Sequence, residues 1–409
     1  MHLILDISLT VAKPWLHAPS GIDRVEFAHA RHWRARGPQD VTFVMRTAWD
    51  RLAALPDGLA RDILAQAEAV IAPGLGHRGL GLRARPALAM AHQFLGGGAL
   101  HLRRLLERRR DCVFLTVSCA TLHKHPAMAA LAAQGCRIAA LVHDLIPLSH
   151  PHCFPAGEAA RHAERMRGVS LHADAAIAVS DTTREAMQDW FAREGLRLPP
   201  VEVAHLGVDL PAATPAGEGR APYFVMLGSL EPRKNHAMML ELWRRMAGHP
   251  RMPSLLVIGR RPSESHPGIA LLDRGEFGGR VEDLGRVPDA ALAHLLHGAQ
   301  ALLFPSLSEG YGIPLAEALA MGVPVLASDI PAFREVGGAV PDFLDPLDGP
   351  GWLAAILDYA GPDSLRRAAQ LERLRGWRAP GWADHFGVVE PLLERLAAAP
   401  PASAGSRQA

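Results

Sequence analysis

Cysteine is scarce in this chain, with four in 409 residues, and Cys112, Cys119, Cys136 and Cys153 include no C-x-x-C pair. That spacing excludes the usual redox and zinc motifs and predicts buried free thiols. His150, His152 and Cys153 stand close together, as do His123 and His125, but neither group has a zinc spacing, so no resident metal is expected. An Asp-x-Asp pair, a common device for holding a nucleotide diphosphate through a divalent cation, is also missing. Whatever binds phosphate here is expected to do so without a metal. Net charge is nearly absent, with 43 Lys and Arg against 42 Asp and Glu, and this removes the global field that a nucleic-acid partner would need. The opening MHLILDISLT carries an apolar run too short for a membrane span and no basic leader with a small-residue cleavage site. It reads as a first strand, with a cytoplasmic location as the default.

What is present is a soluble globular composition, 49% hydrophobic and 21% charged, in a chain long enough for two domains. Nine short apolar runs alternate with helical patterns: LILDIS, VTFVMR, CVFLTVS, RIAALVHDLIP and AAIAVS, then PYFVMLGS, SLLVIG, ALLFPS and VPVLAS. Strands this continuous belong to parallel sheets covered on both faces, so both halves read as doubly wound α/β domains. LPAATPAGEGRAP, rich in Pro, Ala and Gly, lies between them. The expected organisation is a first domain over 1–210, a linker over 211–222, a second domain over 223–381, a helix over about 382–398 and a disordered tail over 399–409. That helix has Trp382, Phe386, Val389 and Leu393 on one face.

In open parallel sheets ligands sit beyond the carboxyl ends of the strands, which selects a few stretches. FPSLSEGYGIPLAEALAMGVPVLASDIPAFREVGG (304–338) reads as the end of a strand, a loop, a helix with Pro314 at its first position and Glu317 in its first turn, a stop at Gly322 and another strand. Gly310 and Gly312 allow close approach of a ligand to the free amides of the helix start, an anion cradle. Glu309 beside that cradle suits a ligand with hydroxyls, since an ionised carboxylate only accepts hydrogen bonds. The plainer alternative makes Glu317 a helix-start charge and Glu309 a solvated loop residue. After PYFVMLGS come Ser229, Arg233, Lys234 and Asn235; two cations there suit a diphosphate, and an exposed basic turn is the alternative. His143 and Asp144 follow RIAALV directly, either as a functional pair or as a core histidine capped by its neighbour. Ser180 reads as structural, at a helix start where Thr182 and Glu185 are spaced as a capping box.

The E-x7-E segment, with the R-K-N after an earlier strand, resembles the signature of the retaining, nucleotide-sugar-dependent glycosyltransferases of family four, also called glycosyltransferase group 1. HDLIP at 143–147 is similar to the motif of a mannosyltransferase-like branch. The resemblance implies the GT-B fold, two Rossmann-like domains facing across a cleft with a C-terminal helix crossing back onto the first, and a metal-independent reaction without a cofactor. It implies that Glu309 holds donor sugar hydroxyls, that the amides of Gly310, Tyr311, Gly312 and Ile313 touch phosphate or sugar, and that Glu317 holds the ribose. Arg233, Lys234 and Ser229 would face the diphosphate, Val287 the base through its backbone, and His143 the donor sugar. A glycine loop at Gly21 lies beside the donor phosphates in such enzymes, although simple turn chemistry serves equally there. Asp144 and Arg24 would lie on the acceptor side. GDP-mannose is the favoured donor, although GRRPSES after SLLVIG departs from the G-K-x-G-W-like pattern common in that branch. The expected acceptor is a glycan or lipid-linked glycan of bacterial-type polysaccharide or lipopolysaccharide synthesis.

The basic run RRLLERRRD (103–111) reads either as a solvated helix face or as a patch resting on the anionic inner face of the cell membrane. Two other functions stay open on the same scaffold, a sugar-nucleotide epimerase and a non-catalytic sugar-nucleotide sensor.

Overall fold

In the computed structural model, which describes residues 1–12, 20–47, 49, 51–71, 97–118, 122–123, 125–209, 222–262 and 266–400, all nine apolar runs contain strands. They are β1 (His2–Asp6), β2 (Val41–Arg46), β4 (Cys112–Thr116), β5 (Arg137–Val142), β6 (Ala175–Ala178), β8 (Tyr223–Leu227), β9 (Ser254–Ile258), β11 (Leu302–Phe304) and β12 (Val325–Ser328). Four further strands complete the sheets: β3 (Leu52–Ala54), β7 (Val201–Val203), β10 (Val281–Gly285) and β13 (Asp342–Leu344). All four lie at sheet edges. Three of them, VEV, VEDLG and DFL, are half-buried with charged residues, so they lack the apolar continuity that marks a covered parallel strand.

The chain divides into two compact units, one of Met1–Leu145, Ala159–Leu206 and Trp382–Ala409, the other of Ile146–Glu158 and Gly207–Gly381. The first holds a seven-stranded sheet in the order β3-β2-β1-β4-β5-β6-β7, parallel except for β3, which turns back antiparallel on β2. The second holds six strands in the order β10-β9-β8-β11-β12-β13, all parallel. Each sheet starts in the middle, winds outward one way and then the other, and so has a switch point, β1/β4 in one and β8/β11 in the other. Buried Phe224, Trp243, Trp352 and Tyr359 anchor the second core. Among the described residues no helix is long and apolar enough to cross a membrane.

Between β1 and β2 runs the helix Gly21–Arg34, opened by a capping box in which Ser20 and Asp23 bond each other's backbone amides. Its residues Asp23, Glu26, His29 and Trp33 are buried on one face. The C-terminal helix Trp382–Ala398 belongs to the same unit, packs on β4, β5 and β7, and buries Phe386, Val389 and Leu393 while Trp382 stays half-buried. Nε2 of His29 lies 2.9 Å from Nε2 of His385, and both rings are buried. Carbonyls of Ala204 and His205 face Nδ1 of His385, so that nitrogen carries the proton, and His29 must then donate through its own Nε2. This pairing requires the His385 ring to be neutral, since its Nε2 must accept. Burial lowers both pKa values, that of His385 to about 4.

Three expectations need correction. The helix Asp181–Glu194 is capped by Ser180, whose hydroxyl accepts from the Thr183 amide, so the Thr182/Glu185 box does not form. The helix after the E-x7-E loop begins at Ile313, with Pro314 its second residue. Glu317 is therefore the fifth residue, past the first turn and beyond most of the dipole's reach. Gly322 does follow the helix in the left-handed conformation. Cys112, Cys136 and Cys153 are buried free thiols, and Cys119 lies outside the described residues. So do residues 210–221, which hold nearly all of the expected linker, and the end of the tail from 401. On the helix Gly97–Arg108, Arg103, Arg104 and Arg108 are exposed, and Arg103 bonds Glu107 at 2.8 Å.

Candidate active site

The second unit gathers charge at its switch point. After β8 the chain makes one short turn over Pro232–Lys234 with Asn235 in the left-handed region, which aims Arg233 and Lys234 toward the neighbouring loop after β11. The amide of Leu307 donates to the Arg233 carbonyl at 2.8 Å and locks the two loops together. Arg233 Nη1 donates to Glu309 Oε2 at 2.8 Å, and its Nε donates to Glu231 Oε2 at 3.0 Å. Lys234 Nζ pairs with Glu309 Oε1, which also accepts from Ser306 Oγ at 2.8 Å. Lys234 Nζ lies 4.9 Å from the centre of the Phe304 ring as well, a cation–π contact.

These groups are largely withdrawn from water, the side chains of Arg233, Lys234 and Glu309 being 16%, 10% and 8% exposed. Burial pushes the Glu309 carboxyl up, yet the Arg233 and Lys234 charges and the hydrogen bonds from Lys234 and Ser306 outweigh it and hold the pKa at about 2. Burial lowers the Lys234 pKa, opposed by Glu309. With Glu231 the cluster holds two cations and two carboxylates, a balanced charge in a low-dielectric setting.

The cradle is built as its glycines require. Gly312 has φ +106° and precedes the helix Ile313–Ala320; a Cβ there would meet the Phe333 ring at 3.0 Å. Phe304 and Phe333 stack with centroids 4.5 Å apart directly beneath. Gly310 and Tyr311 are buried, Ile313 is half-buried, and burial raises the Tyr311 phenol. Ser229 is half-buried at the end of β8, and Val287 is half-buried just after β10, both on the same sheet edge as Glu309. Glu317 is half-buried.

The remaining candidates belong to the first unit. His143 and Asp144 follow β5, half-buried. His143 Nε2 lies 2.9 Å from the Val117 carbonyl, and since a carbonyl only accepts, that nitrogen bears the proton. Burial lowers the His143 pKa, which favours the neutral ring and makes Nδ1 an acceptor. The Thr183 hydroxyl donates to the His143 carbonyl at 3.1 Å, and His162 bonds the Asp144 carbonyl at 3.1 Å, so the segment is held from both sides. Gly21 is exposed as the first residue of its helix, and Arg24 is half-buried one turn on. Ser306, Glu231 and Phe304 escape sequence reasoning, because a serine and a phenylalanine at a strand end look like any others until their neighbours are known.

Residues 221–359 match the family profile described as Glycosyl transferases group 1. The matched stretch contains the whole charged cluster. Over 263 residues the chain is 30% identical to the serotype-specific mannosyltransferase WbdA of Escherichia coli, covering 57% of this chain and 32% of that protein. It is 33% identical over 163 residues to the O-antigen chain mannosyltransferase B of Escherichia coli, covering 40% of this chain and 43% of that one. The chain thus spans about a third to two fifths of the length of these relatives. The solved structure of Anabaena Alr3699/HepE in complex with UDP and glucose superposes with a TM-score of 0.65 at 15% identity, covering 98% of this chain and all of that one. That likeness is one of fold, and the α/β architecture is the GT-B class that the sequence resemblance implies.

Proposed function

We propose that this protein is a retaining, metal-independent glycosyltransferase that moves a hexose, mannose in first place, from a nucleoside diphosphate sugar to a glycan or lipid-linked acceptor of bacterial-type polysaccharide synthesis. The observation that carries the reading is the clamp of Arg233 and Lys234 on Glu309 beside a glycine cradle at a sheet switch point. The mannosyltransferase names of the relatives support the sugar.

The reaction breaks the bond between the anomeric carbon and the diphosphate through an oxocarbenium-like transition state. Negative charge grows on the leaving phosphate as that bond stretches. Arg233 and Lys234 are fixed by their partners before the donor arrives, so they stabilise this charge with little reorganisation. A diphosphate entering the cradle competes with Glu309 for the two cations, and the carboxylate released from them accepts from sugar hydroxyls. The cluster's own balance of charge keeps the site closed to stray cations and anions until a ligand brings both functions at once. The amides from Gly310 to Ile313, with Ser229, complete the phosphate site, and Val287 and Glu317 line the nucleoside side. Neutral His143, its proton committed to Val117, offers Nδ1 to a hydroxyl of the donor sugar. As the resemblance implies, the leaving phosphate takes the acceptor proton on the same face. Asp144 and Arg24 serve the acceptor, and the exposed arginines from 103 to 110 hold the enzyme peripherally on an anionic membrane.

The test is hydrolysis of GDP-, UDP- and ADP-sugars by the unsubstituted protein and by Lys234→Ala, with and without EDTA. Slow hydrolysis of one donor, abolished by Lys234→Ala and indifferent to EDTA, is expected. Turnover that needs an added divalent cation would remove the metal-independent part of the reading.

A further inference from the structure

We propose that His236 is a further member of the diphosphate site, one that takes up a proton from solvent when the donor's phosphate charges arrive; this rests on the transfer reading above. His236 opens the helix His236–Arg245, two residues after Lys234. It is 3% exposed, and among the described residues neither Nδ1 nor Nε2 has a hydrogen-bond partner. A neutral imidazole carries one donor and one acceptor, and leaving both unpaired in the interior costs free energy that a leucine of similar bulk would not. Packing alone therefore does not account for a histidine at this place.

The start of that helix is open as well. Asn235 at the cap position is left-handed and gives no side-chain cap; its Nδ2 donates instead to the Pro346 carbonyl at 2.9 Å. The first amides of a helix have no carbonyl of their own helix to meet, and they form the positive end of its dipole. Cα–Cβ bonds tilt toward a helix's N-terminus, so the His236 ring leans toward the turn that carries Arg233 and Lys234. Open amides, the Lys234 cation and an imidazole with two idle nitrogens thus meet at one end of one helix, a setting that suits a phosphate oxygen.

The groups around the ring keep it neutral until an anion comes. Burial lowers the His236 pKa most, to about 3, and the Lys234 and His266 charges act in the same direction. Asp283 on β10 opposes them, but its carboxylate is already paired with Arg261 at 2.6 Å. His266 is engaged on both sides, Nε2 donating to the Leu230 carbonyl at 2.6 Å and Nδ1 accepting from the Gly268 amide at 3.2 Å. Lys234 is answered by Glu309 alone. A sugar nucleotide brings two negative charges to that cation, and the local field turns in favour of the imidazolium. Protonated, His236 has two N–H donors, and one of them makes a charge-assisted bond to a phosphate oxygen. The extra positive charge then lies on the side of the reaction where negative charge grows.

The experiment titrates the full chain with GDP-mannose, UDP-glucose and ADP-glucose by calorimetry between pH 6 and pH 8, in two buffers of different ionisation enthalpy. The diphosphate diesters of these donors do not titrate in that range, so a proton taken up belongs to the protein. For the donor that binds, uptake of about half a proton or more at pH 6 is expected, with affinity rising about fivefold from pH 8 to pH 6. His236→Asn and His236→Gln should lose most of the uptake and bind with a nearly flat pH dependence. Proton release, no exchange, or equal uptake in the two variants would each overturn the assignment. Nitrogen NMR of the histidine-labelled, unsubstituted protein reads the ring without any substitution: one imidazole should pass from the neutral to the charged pattern as donor is added, and no such change would also overturn it. Absence of binding by all three donors removes the transfer reading and the proposal together, whereas binding without proton uptake removes the proposal alone.

Discussion

At the scale of single residues, Glu309 is the carboxylate that the proposed phosphate site has to accommodate. Unpaired, it would repel a diphosphate; held between Arg233 and Lys234, it cancels part of their charge until the ligand takes its place. The two cations and the glutamate therefore separate in their expected defects. Glu309→Gln leaves the cluster with an extra positive charge, so binding of the nucleoside diphosphate should hold or tighten severalfold while sugar-dependent turnover falls about 100-fold or more. Lys234→Met should lose both. Calorimetry with the nucleoside diphosphate beside steady-state turnover checks the pair, and equal loss of binding in both variants would contradict the exchange of partners. The R-K pair and the E-x7-E spacing were legible in the sequence, but the bond between them was not, because 75 residues separate Lys234 from Glu309. Only the adjacency of β8 and β11 in the sheet brings them together.

Single elements carry a second set of consequences. The loop after β11 turns into its helix through Gly312, whose φ of +106° and 3.0 Å approach to Phe333 leave no room for a side chain. Gly312→Ala is expected to cost on the order of 1–3 kcal/mol, read as a lower urea midpoint, and to weaken donor binding because the cradle amides move. An unchanged midpoint would show that the loop relaxes freely. The cap of the helix Asp181–Glu194 offers a milder check: Ser180→Ala should cost about 1 kcal/mol, while Thr182→Ala should be nearly silent. Element types were readable where strands are covered on both faces, since β1, β4 and β5 are buried along their whole length. Edge strands such as VEDLG were not, because one of their sides meets water and tolerates charge. Glu317 was misplaced by one residue, which carries it past the first turn, because the helix takes in Ile313 ahead of Pro314.

Across the whole molecule the buried histidines give stability a direction with pH. In the unfolded chain His29 and His385 bind protons below about pH 6.5, whereas folding keeps His385 neutral to about 4 and His29 well below its ordinary value. The folded state is therefore favoured above about 6.5 and loses stability as pH falls through that window. Glu309 adds to the loss at lower pH, since its folded pKa of about 2 lies below the unfolded value of 4.5, and its contribution disappears between the two. Thermal midpoints measured from pH 7 to pH 4 should fall, and His385→Asn should flatten the upper part of that slope. A midpoint that rises toward pH 4 would contradict the lowered pKa values of buried His29 and His385. For the function itself the most direct measurement is hydrolysis of a panel of GDP-, UDP- and ADP-sugars by the unsubstituted protein in the presence of EDTA, beside Lys234→Ala and Glu309→Gln. Release of free sugar from one donor, mannose from GDP-mannose in first place, with loss in both variants, is the predicted result. Binding of a donor without any release, by a protein whose two variants behave as it does, would contradict it.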